Sequence, residues 1–431
     1  MKKACKRVLC LVLIIALLAG LSGCTTFNNF KNAFFSDGSV ATERTIKIGI
    51  YEPLSGEDRL QGKEEVMGIE LAHELYPEVL GKKVELIYAD NKSDIYEAET
   101  AIQELLSNDL SVILGSYGET LTLLASDYVK IYSVPAITIS STNPLITANN
   151  DYYFSATYTE ARQGDALADF AYTNQLKDSV ATVKVSTDDT SVATIKRFTN
   201  RIKKLTGSSK TVVGNYSIRV EETDYTETIE KLRNSGAKAV FLAMSPTMAI
   251  NFLQQCVDNQ YTHVLFLGTR AWNDEAFIEF ARSSERIDVA FCGEQPEAIQ
   301  SELSTVFMDA YAAKYGTEVK PSGKTAAAFD AYLLALKAIE DAYATLQAAD
   351  VEELASKAAS DGEAKAIREA YANALDEGIP TGTQIRDALK LVEDFQGASG
   401  IINYDGNNEA TKTITIDYIE GTEMPVYVAN E

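Results

Sequence analysis

Histidine and cysteine are nearly absent from this chain of 431 residues. His73 and His263 are the two histidines, far apart in sequence, and the five cysteines are Cys5, Cys10, Cys24, Cys256 and Cys292. No Cys/His grouping has metal-ligand spacing, and an enzyme that used a histidine base would have little to choose from. Three of the cysteines sit in the first 24 residues, so no disulfide framework can be built; Cys256 and Cys292 either pair or stand as two inert buried thiols. Gly-x-Ser-x-Gly, a phosphate-binding Gly-rich motif and HExxH are missing too. Neither a catalytic set nor a cofactor or metal is expected. Positive charge is also scarce: 39 basic residues face 62 acidic ones, a net charge of −23, which argues against nucleic acid and anionic lipid surfaces as partners.

Long apolar runs are likewise rare, and the one that stands out is placed where it carries information. Lys2, Lys3, Lys6 and Arg7 precede the apolar stretch Val8 to Leu21, which ends in Leu21-Ser22-Gly23-Cys24. A basic start and about a dozen apolar residues before small residues read as a secretory signal, because a spanning helix needs about 20 apolar residues. The Leu-Ser-Gly-Cys run resembles the bacterial lipobox, whose cysteine is acylated before cleavage; residues 1–23 are then the signal peptide and Cys24 carries the lipid. Removing the four signal cations leaves 35 basic residues against 62 acidic, a balance of −27. Residues 24–44, rich in Asn, Ser and Thr and without periodicity, read as a flexible tether between membrane and body. Roughly 390 residues remain, more than one core normally organises, so two lobes are expected.

Short β-branched runs then alternate with amphipathic stretches of helical length. Strands are expected at Thr45 to Ile50, Val84 to Tyr88, Val112 to Leu114 and Val134 to Ile139, with helices over Lys63 to Leu75, from Ser93-Asp94 onward with Glu97 at capping distance, and over Thr120 to Tyr132. A second series has strands at Val180 to Val185, Lys210 to Asn215, Ala239 to Ala243 and Val264 to Leu267, with helices over about 190–205, 224–235 and 247–259. Further helices are expected over Ser301 to Tyr315 and Thr325 to Ala344. The Ala- and Glu-rich stretch Asp350 to Glu377, with starts at Asp350 and Ser360, reads as a solvated surface hairpin. Successive βα units build parallel sheets covered on both faces, so the class is α/β. Two such lobes imply a cleft.

In open parallel sheets the ligand crevice lies at the carboxyl ends of the strands. Four loops are thereby singled out: Pro53 to Gly62, Gly115 to Thr120, Ile139 to Asn143 and Gly268 to Asn273. The second is the best anion cradle, since Gly115 and Gly118 permit close backbone approach and a helix begins near Glu119. Turn chemistry alone is the competing account of all four.

Nine segments in order resemble the periplasmic-binding-protein type I family, specifically the leucine/isoleucine/valine-type solute-binding proteins of ABC importers. They are IKIGIYEPLSG at 46–56, QGKEEVMGIELA at 61–72, VILGSYGETLTLLA at 112–125, VPAITISSTNPLIT at 134–147, Asp224-Tyr225, AVFLAMSP at 239–246, FLGTRAW at 266–272, AAFDAYLLALKAI at 327–339 and FQGASGIINYDGNN at 395–408. The resemblance implies two Rossmann-like lobes with parallel central sheets joined by three crossing strands. Lobe 1 is expected over 45–157 and 293–405, and lobe 2 over 158–292 and 406–431. It also implies a monomer that closes over a small polar solute and passes it to a permease and its ATPase, outside the cytoplasmic membrane.

Carried over residue by residue, the family pattern puts the solute's α-carboxylate against Tyr117, Gly118, Glu119 and Thr120. The ammonium falls to Ser140 and Thr142, beside Ser141, and to an acidic residue of the second lobe. Here the chain departs from the pattern. Glu119 stands where a hydroxyl is usual, Arg270 where the acid is usual, Gln61 at an aromatic gate, and Thr190 or Ser245 at a second-lobe aromatic. Glu119 repels a carboxylate and Arg270 repels an ammonium, so the usual amino-acid pose loses both anchors. Three arrangements are open: Arg270 takes the carboxylate and Glu119, with Ser140 and Thr142, the cationic or amide end; Glu119 and Arg270 form a salt bridge around a neutral solute; or Glu119 faces the helix start and Arg270 water. Trp272 either walls the solute or packs in the core. The rival class is a ligand-sensing or cell-envelope regulatory lipoprotein that kept the fold.

Overall fold

The computed structural model describes residues 45–148, 150–174, 179–284, 286–293, 295–348, 351–404, 408–419 and 426–429. The expected signal peptide, Cys24 and tether lie outside them. Among the described residues no helix is long and apolar enough to cross a membrane.

The first sheet contains β1 (Ile46–Glu52), β2 (Glu78–Val79), β3 (Lys82–Asp90), β4 (Val112–Gly115), β5 (Ala136–Thr138) and β6 (Tyr153–Ser155), in the order β2-β3-β1-β4-β5-β6. All pairs are parallel except β2 with β3. The alternation in β1 sends Ile46, Ile48 and Ile50 to one face and Tyr51 to the other, into two separate buried clusters. Helices Arg59–Leu75 and Gly323–Ala348 cover the first face, and Ile95–Leu106 and Glu119–Tyr132 the second. Asp94 caps its helix as the spacing predicts, accepting from Tyr96 N (2.9 Å) and Glu97 N (3.1 Å).

The second sheet contains β7 (Val180–Val185), β8 (Val212–Ile218), β9 (Ala239–Ala243), β10 (Leu265–Gly268) and β11 (Asp288–Gly293). A small antiparallel sheet follows, of β12 (Phe395–Gly397), β13 (Gly400–Tyr404) and β14 (Ala410–Lys412). The chain then re-enters the second sheet as β15 (Ile414–Ile419) and β16 (Val426–Ala429), giving the order β16-β15-β11-β10-β9-β7-β8. β15 runs antiparallel to β11 and pairs Cys292 with Ile416. This is a two-lobe α/β fold. The chain passes between the sheets after β6, after β11 and between β14 and β15. β14 pairs with β13 and β15 with β11, so the chain passes from the small sheet to the second sheet at Thr413.

Residue patterning singles out neither the small sheet, whose strands are three to five residues long, nor β15, which is set by pairing with the distant β11. One buried side chain among those that tie the small sheet to lobe 1 is an acid. Asp330, in the middle of helix Gly323–Ala348, accepts from Ala398 N (2.6 Å) and Ser399 N (2.8 Å) and so holds the β12–β13 turn. The stretch expected as a solvated hairpin forms helices Val351–Ser356 and Asp361–Glu377; Ser360 accepts from Glu363 N at 3.2 Å, and among the described residues Ala355 and Ala374 are buried.

Cys256 and Cys292 are both buried free thiols in separate core clusters, and burial pushes both thiols up, out of the reactive range. His73 bonds through Nδ1 to the Tyr332 hydroxyl at 2.9 Å as a helix-face residue.

Candidate functional site

The carboxyl ends of β1, β4 and β5 meet as parallel pairing requires, and their loops are bonded to one another. Glu52, the last residue of β1, is fully buried and accepts the Tyr117 N–H through Oε2 at 2.8 Å. Gly115 permits this approach: its φ is +111°, and a Cβ there would lie 2.2 Å from Tyr51 O and 2.3 Å from Glu52 Oε1. The Thr122 hydroxyl donates to Ser116 O (2.9 Å) and Gly118 O (2.8 Å) and touches the Ser141 hydroxyl at 3.0 Å. Ser141 and Thr142 are buried, whereas Glu119 and Thr120 at the helix start are exposed. The Ser140 hydroxyl, half-buried in the loop after β5, donates to Glu65 Oε1 on helix Arg59–Leu75.

From the second sheet, the turn Arg270–Trp272 after β10 brings one guanidinium to the same place. The Arg270 N–H donates to Gln163 Oε1 at 2.6 Å, which fixes the backbone. Its side chain pairs with Glu160 (Nε to Oε1, 3.4 Å), reaches the Ser140 carbonyl (Nη2, 3.5 Å) and lies 5.8 Å from the centre of the Tyr158 ring. Thr142 Oγ1 donates toward Glu119 Oε1 (3.2 Å) and Glu160 Oε1 (3.5 Å), and Asn143 Nδ2 toward Glu119 Oε2 (3.4 Å). A polar chain Glu119–Thr142–Glu160–Arg270–Ser140 thus runs between the loops of the two sheets. Glu119 and Arg270 are connected through Thr142 and Glu160.

Of the residues the sequence singled out, Tyr117, Gly118, Glu119, Ser140, Ser141, Thr142 and Arg270 belong to this group. Thr190 and Ser245 are exposed and bond within their own helix starts, Thr190 N to Asp188 and Ser245 Oγ to Met248 N. Gln61 is half-buried in the first turn of its helix, with Oε1 buried. Trp272 takes the core alternative. It is fully buried, 4.5 Å from the Phe277 ring, and its indole N–H donates to Met244 O at 3.1 Å. It packs over Gly268, where a Cβ would lie 2.1 Å from the indole, so it cannot wall a solute. Trp272→Ala is expected to lose about 3–5 kcal/mol in urea unfolding; a loss below about 1 kcal/mol would contradict the core assignment.

Residue patterning did not single out Glu52, Glu65, Glu160, Gln163 or Lys324. A signal for two of them was present: Glu52 ends a buried apolar strand, and Glu65 shares a helix face with Ile69 and Ala72. Burial, then the Glu65 charge, holds the Glu52 carboxyl well above the usual carboxylate range. Burial also pushes Glu65 up to about 7, against opposing bonds from Ser140 and Glu52 and the Lys324 charge. Burial pushes Asp330 up to about 6, partly offset by Lys412. Acids raised on folding hold protons that the unfolded chain releases, so stability falls as pH rises through the window from about 4 to about 7. The unfolding free energy from urea titration is expected to be higher at about pH 5 than at about pH 8, by a few kcal/mol in total, with a correspondingly higher midpoint. An unchanged or rising midpoint would contradict the burial of these acids.

The match that decides the family spans most of the described body: residues 45–416 fit the model of the periplasmic binding protein family. The chain belongs to that family. A Leu/Ile/Val-binding protein homolog of Brucella suis is 24% identical over 227 residues, which are 51% of this chain and 56% of the relative, so the match spans little more than half of that protein. Among solved structures, a leucine binding protein from Thermotoga maritima shares 24% identity at a TM-score of 0.62, covering 90% of this chain and 99% of that one. A solute binding protein of an ABC transporter from Rhodopseudomonas palustris, in complex with 3,4-dihydroxy benzoic acid, shares 19% at a TM-score of 0.58, covering 90% and 98%. At these identities the structural likeness establishes the fold.

Proposed function

We propose that this chain is a lipid-anchored, extracytoplasmic solute-binding protein that captures a small polar solute by lobe closure and delivers it to an ABC importer permease. Lobe 1, 45–157 with 293–405 and extended by strand pairing to β14, holds the solute first, through Ser140, Thr142 and the backbone N–H groups at Tyr117 to Thr120. Lobe 2, 158–292 with the C-terminal strands, then rotates about the three passages and brings Arg270. The observation that carries this reading is the polar chain between the two sheets' loops, in which Arg270 reaches the Ser140 carbonyl. No bond needs to be made or broken, and differential affinity for the closed form drives the shift.

The reversed-polarity pose fits the site best: Arg270 takes a solute's carboxylate, and Glu119 with Ser140 and Thr142 its cationic or amide end. A sensing or regulatory role rests on the same closure and is favoured to the extent that Glu119 and Arg270 are already satisfied within the protein, through Thr142, Asn143 and Glu160.

A thermal-shift screen of the fragment from Thr25, with amino acids, amides, dicarboxylates, aromatic acids, polyamines and nucleosides, tests the proposal. A solute at a hundredfold over its Kd is expected to stabilise by roughly 2.7 kcal/mol. Arg270→Ala is then expected to weaken that solute by roughly 2–5 kcal/mol, with a smaller loss for Glu119→Ala at its exposed position. Unchanged affinity in both variants would discard the reversed-polarity pose, and silence across the panel with folded protein would move the reading to regulation.

A further inference from the structure

The floor beneath the Ser140 loop holds two acids that serve no evident packing need. Glu52 and Glu65 are both fully buried. The two carboxyl groups are neighbours that act on each other's charge, and Glu52 Oε1 and Glu65 Oε2 are buried with no hydrogen-bond partner among the described residues. Glu52 Oε2 is occupied by the Tyr117 N–H, and Glu65 Oε1 by the Ser140 hydroxyl. Two buried carboxylates in contact cannot both ionise. One proton held between them satisfies both remaining oxygens and leaves Glu65 Oε1 an acceptor. Among the described residues the other titratable groups around the pair are Tyr51 on β1, Tyr117 in the loop after β4, Glu64 on the Glu65 helix, Tyr153 on β6 and Lys324 at the start of helix Gly323–Ala348.

The consequence reaches the cleft. A serine hydroxyl has one proton and two lone pairs, and its rotor turns to suit its neighbours. At Ser140 the proton is committed to Glu65, so what the hydroxyl can still offer a solute is a lone pair. The Thr142 proton is committed in the same way, toward Glu119 and Glu160. We propose that Glu65, through the proton it shares with Glu52, is a positioning residue that locks the Ser140 hydroxyl as an acceptor, so that the solute presents an N–H donor at that point. This rests on the solute-binding reading given above. It narrows that reading to ammonium- or amide-bearing solutes and places monocarboxylates that lack an N–H at a disadvantage.

Two variants separate geometry from charge. Glu65→Gln keeps the pattern, since its carbonyl still accepts from Ser140 while its NH2 donates to an ionised Glu52. Glu65→Met removes the acceptor and frees the Ser140 rotor. The probes are two matched pairs titrated calorimetrically: L-leucine with 4-methylpentanoate, and benzamide with benzoate. Wild type is expected to prefer the N–H member of at least one pair by about tenfold or more. Glu65→Gln should retain that preference within about twofold, and Glu65→Met should lose it chiefly through weaker binding of the N–H member. Wild-type preference for the carboxylate members, an unchanged preference in Glu65→Met, or equal loss in Glu65→Gln and Glu65→Met would each overturn the proposal. Infrared spectra at roughly pH 8 supply a ligand-free readout: a protonated-carboxyl band present in wild type and absent from Glu65→Gln is expected. Absence of that band from wild type overturns the shared proton itself. Absence of binding in every probe, with the band present, instead overturns the solute reading and takes the inference about Ser140 with it.

Discussion

Asp330→Ala is expected to lower stability by about 3–5 kcal/mol, read as a drop in the urea midpoint at neutral pH. The carboxylate is fully buried and does three things at once. It accepts from the backbone of Ala398 and Ser399, accepts from the Ser399 hydroxyl, and answers the buried charge of Lys412. Removing it strands two backbone N–H groups and leaves Lys412, which donates to Ala156 O at 3.1 Å, without its facing carboxylate. These groups sit at the third passage between the lobes, so closure should become less cooperative with solute as well. Asp330→Asn keeps one acceptor and is expected to recover about half of the loss. An unfolding free energy within about 0.5 kcal/mol of wild type for Asp330→Ala would show that the turn is held by its own pairing.

Gly68→Leu is expected to be more damaging still, with a loss of at least about 4 kcal/mol and failure to accumulate folded protein. Helix Arg59–Leu75 crosses helix Gly323–Ala348 with its backbone almost in contact. A Cβ at position 68 would lie 2.1 Å from the Thr325 carbonyl oxygen and 2.8 Å from the Ala328 Cβ. Because the first neighbour is backbone, the two helices must separate, and Glu65 and Lys324, one turn or less from the contact, move with them. Gly362→Ala is the matched control: its Cβ meets only the Ser360 hydroxyl, at 3.9 Å, and the change should fall within about 1 kcal/mol and be neutral or stabilising. Equal behaviour of the two variants would mean that the helix crossing tolerates a wider spacing.

The residues placed together in the site separate into two kinds by what sequence alone could say of them. Glu119, Ser140, Thr142 and Arg270 stand at the ends of strands whose β-branched runs are plain in the chain, so a rule about parallel sheets was enough to collect them. Trp272 stands at the same kind of place and went to the core, because Gly268 leaves room for the indole and Met244 O takes its N–H. Loop position fixes where the backbone goes, and the first rotamer decides the rest.

The sequence by itself determined the α/β class, the two series of βα units, the crevice-forming loops and the family, since hydrophobic period and local capping are short-range properties carried by neighbouring residues. Only the tertiary structure decided the return of β15 beside β11, because that pairing joins residues over a hundred positions apart and leaves no local trace. It alone joined Glu52, Glu65 and Ser140, and it alone paired Arg270 with Glu160, 110 positions away. The charge of an acid is written in the chain, but whether it meets water, an arginine or a second acid depends on long-range packing, and that choice sets both its proton and its chemistry.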